Sequence, residues 1–69
     1  MGWASGSSVL VRVWLEVRPY IKENQRVAVL TNLMDVFSDE DCDTLDEVID
    51  KKWPESKLAY EFWSERYNR

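Results

Sequence analysis

Val27-Ala28-Val29-Leu30-Thr31-Asn32-Leu33-Met34-Asp35-Val36-Phe37 is the stretch that decides the fold class. Val27, Leu30, Leu33, Met34 and Phe37 recur at steps of three and four residues, which gathers them into one apolar stripe on a helix. Arg26, Thr31, Asn32 and Asp35 fall on the other side. The spacing predicts a helix over about residues 24–38. Pro19 and the polar run Lys22-Glu23-Asn24-Gln25 supply the connection before it.

Downstream, Thr44 with Glu47 three residues on has the form of a capping box, and acids in a first turn suit the helix dipole. Leu45, Val48 and Ile49 are expected to face the core of this second helix, with Lys51 and Lys52 at its end. Pro54 then breaks the chain and fits the opening of a last helix, with Glu55 early and Arg66 late. Its expected apolar face is Leu58, Ala59, Phe62 and Trp63. Upstream, residues 8–21 read two ways. Val9, Val11, Val13, Leu15 and Val17 alternate as in a half-buried strand, yet Leu10, Val13, Trp14, Val17 and Ile21 sit at helical spacing. On the helical reading Ser7 or Ser8 would serve as N-cap.

Sixty-nine residues make one small domain over 1–69, with residues 1–7 expected as a flexible N-terminal arm. Apolar residues at 45% and charged residues at 32% are a globular composition. No apolar run is long enough for a membrane span. The opening lacks the basic region of a signal peptide, and Gly6 stands where myristoylation needs Ser or Thr. A single cysteine makes no internal disulfide, so a cytosolic setting is expected. There is no histidine, which removes Ser-His and Cys-His nucleophile pairs and every His-containing zinc site.

The net charge of −4 is local. Asp39, Glu40, Asp41, Asp43, Asp46, Glu47 and Asp50 fall between residues 38 and 50 with no base among them. Binding DNA or RNA requires clustered Lys and Arg, so no direct nucleic-acid contact is expected. An acidic block suits a basic surface instead, including one that normally holds nucleic acid.

Asp39, Asp41 and Asp43 imitate the opening of a calcium loop, but Thr44 stands where glycine makes the turn and Asp50 where a long bidentate Glu is needed. No metal and no cofactor are expected. Cys42 has carboxylates on both sides, which disfavour a thiolate, and nothing marks out an acid/base pair among the acids. The chain therefore reads as a non-enzyme. On a helix Asp43, Asp46 or Glu47, and Asp50 share a face, and with Asp39 leading in they would form a rod of negative charge. Four Trp, three Tyr and two Phe exceed what so small a core can hold. Trp14, Phe37 and Phe62 are expected inside it, while Trp3, Trp53, Trp63 and Tyr67 suit a partner surface.

The opening Met1-Gly2-Trp3-Ala4-Ser5-Gly6-Ser7, with Leu33-Met34-Asp35-Val36-Phe37 leading into Asp39-Glu40-Asp41-Cys42-Asp43-Thr44-Leu45-Asp46-Glu47, resembles a group of short proteins encoded by bacteriophages. The resemblance covers roughly residues 1–50. Those relatives carry acidic helix-formers where this chain has Val9, Val11 and Arg12, and the resemblance implies a helix for the first segment. It implies a setting, the cytoplasm of a host bacterium, and carries no functional residue over.

The expectation is thus an all-α domain of three to four helices. Self-association is also expected, since a chain this short without disulfide or metal draws only ~3–5 kcal/mol from its own core. The functional reading is a phage-derived protein-binding module, an inhibitor of a host defence or nucleic-acid enzyme. Asp39, Asp43, Asp46, Glu47 and Asp50 would guide encounter with a basic host protein, and Trp53 and Trp63 would supply contact. The alternative is a small structural or regulatory phage protein acting as a dimeric scaffold.

Overall fold

The stripe at residues 27–37 forms the helix its spacing predicts, here seen in a computed structural model that describes residues 5–40, 42 and 44–67. Among these residues the order is α1 (Gly6–Val17), α2 (Arg26–Asp39) and α3 (Glu55–Tyr67), joined through 3₁₀ turns at Arg18–Tyr20, Glu23–Gln25 and Leu45–Val48. The domain is all-α. Leu30 and Met34 of the stripe are fully buried, and Val27, Leu33 and Phe37 pack half-buried against them. Thr31 departs from its expected place on the polar side and is buried. Its hydroxyl donates to the Val27 carbonyl at 2.7 Å, which lets a polar side chain sit inside without an unmet hydrogen bond.

The ambiguous first segment is helical. A strand needs an extended neighbour to complete its hydrogen bonds, and the described residues offer α1 none. Leu10 and Trp14, four residues apart, are buried on the same face of α1. Leu15, which only the strand reading would have placed inside, is 45% exposed, and Val13, expected inside on both readings, is 37% exposed. The helix starts earlier than expected. Ser5 rather than Ser7 or Ser8 stands at the N-cap, and it makes no side-chain cap. Gly6 and Ser7, expected in an arm, are buried in the first turn.

The second expected helix, from Thr44 onward, is the main correction. Only the single turn Leu45–Val48 forms, and Ile49 beyond it is extended at φ −66° and ψ 123°. Thr44 makes no capping bond, because its hydroxyl donates to Ser7 Oγ at 3.1 Å. A 3₁₀ turn brings residues three apart into line, and here it turns both Leu45 and Val48 into the core. The helix is not continued, because the Asp50 N–H is taken by Ser56 Oγ at 3.0 Å and the Asp50 carbonyl accepts from the Trp53 N–H to close a separate tight turn. Ile49, expected inside, is 39% exposed.

In α3 the buried row is Ser56, Ala59 and, half-buried, Trp63. The small side chains of Ser56 and Ala59 let the helix come close to its neighbours, and Thr31 Oγ1 lies 3.4 Å from the Ala59 carbonyl. Leu58 and Phe62 lie on the neighbouring row of the helix and are exposed, so the expectation that Phe62 belongs to the core does not hold. Arg66 also ties α3 to α2 through an ion pair with Asp35 at 3.1 Å.

One polar cluster holds α1 to the start of α3. The Trp14 indole N–H donates to Glu55 Oε2 at 2.7 Å, and Arg18 forms an ion pair with the same carboxylate, its Nη2 lying 3.2 Å from Oε1. Burial pushes the Glu55 carboxyl up. Hydrogen bonds from Arg18, its own backbone and Trp14, together with the charge of Arg18, outweigh that effect and hold it below the usual carboxylate value. The same bond from Arg18 to Glu55 raises the guanidinium further above its ordinary range.

Candidate functional site

Three of the residues singled out in the sequence come together. Glu47, Asp50 and Trp53 line a groove of about 350 Å³ with Ser7, Ser8, Val11 and Arg12 of α1. The acidic wall comes from the Leu45–Val48 turn and the residues after it, and the opposite wall is the first two turns of α1.

Each acidic side chain is positioned by its own local chemistry. Glu47 Oε1 accepts from the buried Ser7 hydroxyl at 3.2 Å, which in turn accepts from Thr44. This chain of hydroxyls fastens the turn to α1 and sets Glu47 at the rim, exposed to water. The Asp50 carboxylate accepts from the Lys52 N–H at 2.9 Å, the side-chain turn that Asp makes readily. The Asp50 N–H donates to Ser56 Oγ at 3.0 Å, so the tight turn is anchored on α3. The Trp53 N–H donates to the Asp50 carbonyl at 3.2 Å, and the Trp53 indole N–H to the Val48 carbonyl at 2.8 Å. With its N–H satisfied inside, the half-buried Trp53 ring offers the rest of its surface to the groove.

The remaining residues lie elsewhere. Asp39 is exposed at the end of α2, and Asp46 is exposed on the turn outside the groove lining. Asp43, together with Trp3, lies outside the described residues. Trp63 packs half-buried against the core with its ring centroid 5.7 Å from that of Tyr60, away from the groove. The helical rod of negative charge therefore does not form, since the segment that would carry it makes one turn, is extended at Ile49 and then enters the tight turn at Asp50.

Ser7, Ser8, Val11 and Arg12 were not foreseen as groove residues. They lie 35 to 40 positions before Glu47, and no local pattern announces a contact at that separation. A second groove of about 440 Å³ lies between α2 and α3 and carries Phe62, Thr31 and Arg66 among its lining residues. It brings together none of the expected site residues. Among the described residues no group of three or more Cys, Asp and Glu is placed to hold a metal ion. Cys42 is buried in the core. No described helix is long and apolar enough to cross a membrane. In comparisons with known proteins no family model, no curated protein and no solved structure matches this chain.

Proposed function

We propose that this domain is a protein-binding module whose groove between α1 and the Asp50–Trp53 turn receives a basic segment of a partner protein. The observation that carries the reading is the grouping of Glu47, Asp50 and Trp53 on one surface. Two carboxylates against the single guanidinium of Arg12 leave the lining net negative, and a half-buried Trp is the residue type that most often anchors an interface. The resemblance to short phage proteins supports a host protein in the bacterial cytoplasm as the partner. Acidity at the groove supports inhibition of an enzyme whose basic surface normally holds nucleic acid. No catalytic step is part of this reading.

Solvated charges mainly raise association rates and lose influence beyond a Debye length of ~8 Å at physiological salt. A buried aromatic mainly slows dissociation, and truncating a true anchor costs about 2 kcal/mol or more. The test is a pull-down from bacterial lysate, followed by surface plasmon resonance against the captured protein at several salt concentrations. The double variant Glu47→Gln, Asp50→Asn keeps the hydrogen bonds to Ser7 and Lys52 while removing both charges. It is expected to lower the on-rate and flatten its salt dependence, and Trp53→Ala is expected to raise the off-rate. Unchanged kinetics in both variants would reduce the groove to a packing seam.

A second reading, a self-associating scaffold, is favoured by the apolar side chains left exposed on α1 and α3, among them Val13, Leu58 and Phe62.

A further inference from the structure

Val9, Arg12, Val13 and Glu16 line a shallow depression of about 270 Å³ on the outer side of α1. Arg12 and Glu16 stand four residues apart and are exposed, and neither enters an ion pair within the described residues. Val13 beside them is 37% exposed. The face thus holds an apolar patch flanked by two opposite charges that form no ion pair among the described residues.

We infer that this face of α1 pairs with the same face of a second copy of the chain, the two helices running antiparallel. A two-fold interface must be complementary to itself. Arg12 and Glu16 lie on the same flank of Val9 and Val13, because a helix turns about 100° per residue. With the two-fold axis at the level of residue 14, Arg12 meets Glu16 of the second copy, and Glu16 meets its Arg12. The two Val13 side chains come together beside the axis. A parallel two-fold pair would carry the flank of one copy to the opposite side of the interface, leaving Arg12 and Glu16 without partners there, so only the antiparallel arrangement uses both charges. The other exposed apolar row, Leu58 and Phe62 on α3, lacks this property. Its near flank carries Glu61 and Glu65, which an antiparallel two-fold would bring against their own copies.

Helix α1 has 12 residues and is about 18 Å long, so the interface falls at or below the ~1,200 Å² lower bound of stable interfaces. The dimer is therefore weak.

The experiment is sedimentation equilibrium of the full chain over a range reaching about 1 mM. Arg12→Glu leaves acids at both positions, and Glu16→Arg leaves bases at both. Each variant alone is expected to raise the dissociation constant about tenfold or more, through two symmetry-related repulsions. Mixed in equal amounts, the two variants are expected to form a heterodimer, since each then meets its complement. The double exchange Arg12→Glu, Glu16→Arg is expected to restore the homodimer. Circular dichroism of every variant confirms that exposed positions were changed without loss of helix. A wild-type monomer throughout the range would overturn the inference. So would a dimer indifferent to both single variants, or single variants that stay monomeric when mixed. Glu16 does not line the proposed partner groove, so a loss of pairing in Glu16→Arg is distinguishable from a failure of partner binding there.

Discussion

Replacing Glu55 by Ala removes the acceptor shared by Trp14 and Arg18. The two donors respond differently. Trp14 is fully buried, so its indole N–H is left without a partner and without water, a penalty of about 1–3 kcal/mol. Arg18 keeps 27% of its side chain exposed and can turn to solvent, so only the net value of a partly buried charged hydrogen bond is lost there, about 1 kcal/mol. The sum is ~3 kcal/mol. A domain of this size has roughly 3–10 kcal/mol of stability in all, so Glu55→Ala is expected to lower the melting temperature by about 15 °C. Glu55→Gln keeps an oxygen for the indole and gives up only the charge, so its loss is expected to be about 1 kcal/mol. Thermal and urea unfolding followed by Trp fluorescence and far-UV circular dichroism would measure both variants. If Ala and Gln at position 55 were equally costly, the indole bond would carry no weight and the reasoning would fail.

The pH dependence follows from the same carboxylate. Its folded value lies below the ordinary 4.5, so the stability it contributes is fully present above about 4.5 and is lost as pH falls through the folded value; Glu55→Gln is expected to flatten that limb of an acid-unfolding curve. Burial predicts a sharp contrast between two apolar truncations. Leu30→Ala is expected to cost about 3 kcal/mol, whereas Phe62→Ala at a 46% exposed site is expected to stay near 1 kcal/mol or below, and equal losses in urea unfolding would contradict the assignment of the core.

The sequence showed most clearly what depends on neighbours along the chain. The stripe of α2 was legible because five apolar residues repeat at helical spacing, and the start of α3 because Pro54 and Glu55 suit a first turn. The first segment stayed undecided from its residues, since its β-branched side chains fit either form and the choice rests on whether a pairing strand exists. The Thr44–Glu47 pattern misled for a similar reason. Its hydroxyl found a partner on α1, and a side chain bonded across the fold no longer caps its own helix. The same contact explains the site. Glu47, Asp50 and Trp53 were visible as acids and a surplus aromatic, but the wall they face comes from α1 and could not be read locally. Phe62 was misplaced because spacing alone does not say which of two adjacent apolar rows a small core can cover.

The partners of the first helix lie toward the other end of the chain. Ser7 reaches Glu47, Arg18 reaches Glu55 and Trp14 reaches Glu55, across separations of 40, 37 and 41 residues. A chain stopped before residue 55 would contain every residue of α1 and still lack the acceptor that Trp14 and Arg18 share. The order in which this protein is synthesised is therefore not the order in which it is completed. Its first helix is made early, but Trp14 and Arg18 gain their shared acceptor only when the beginning of the last helix arrives.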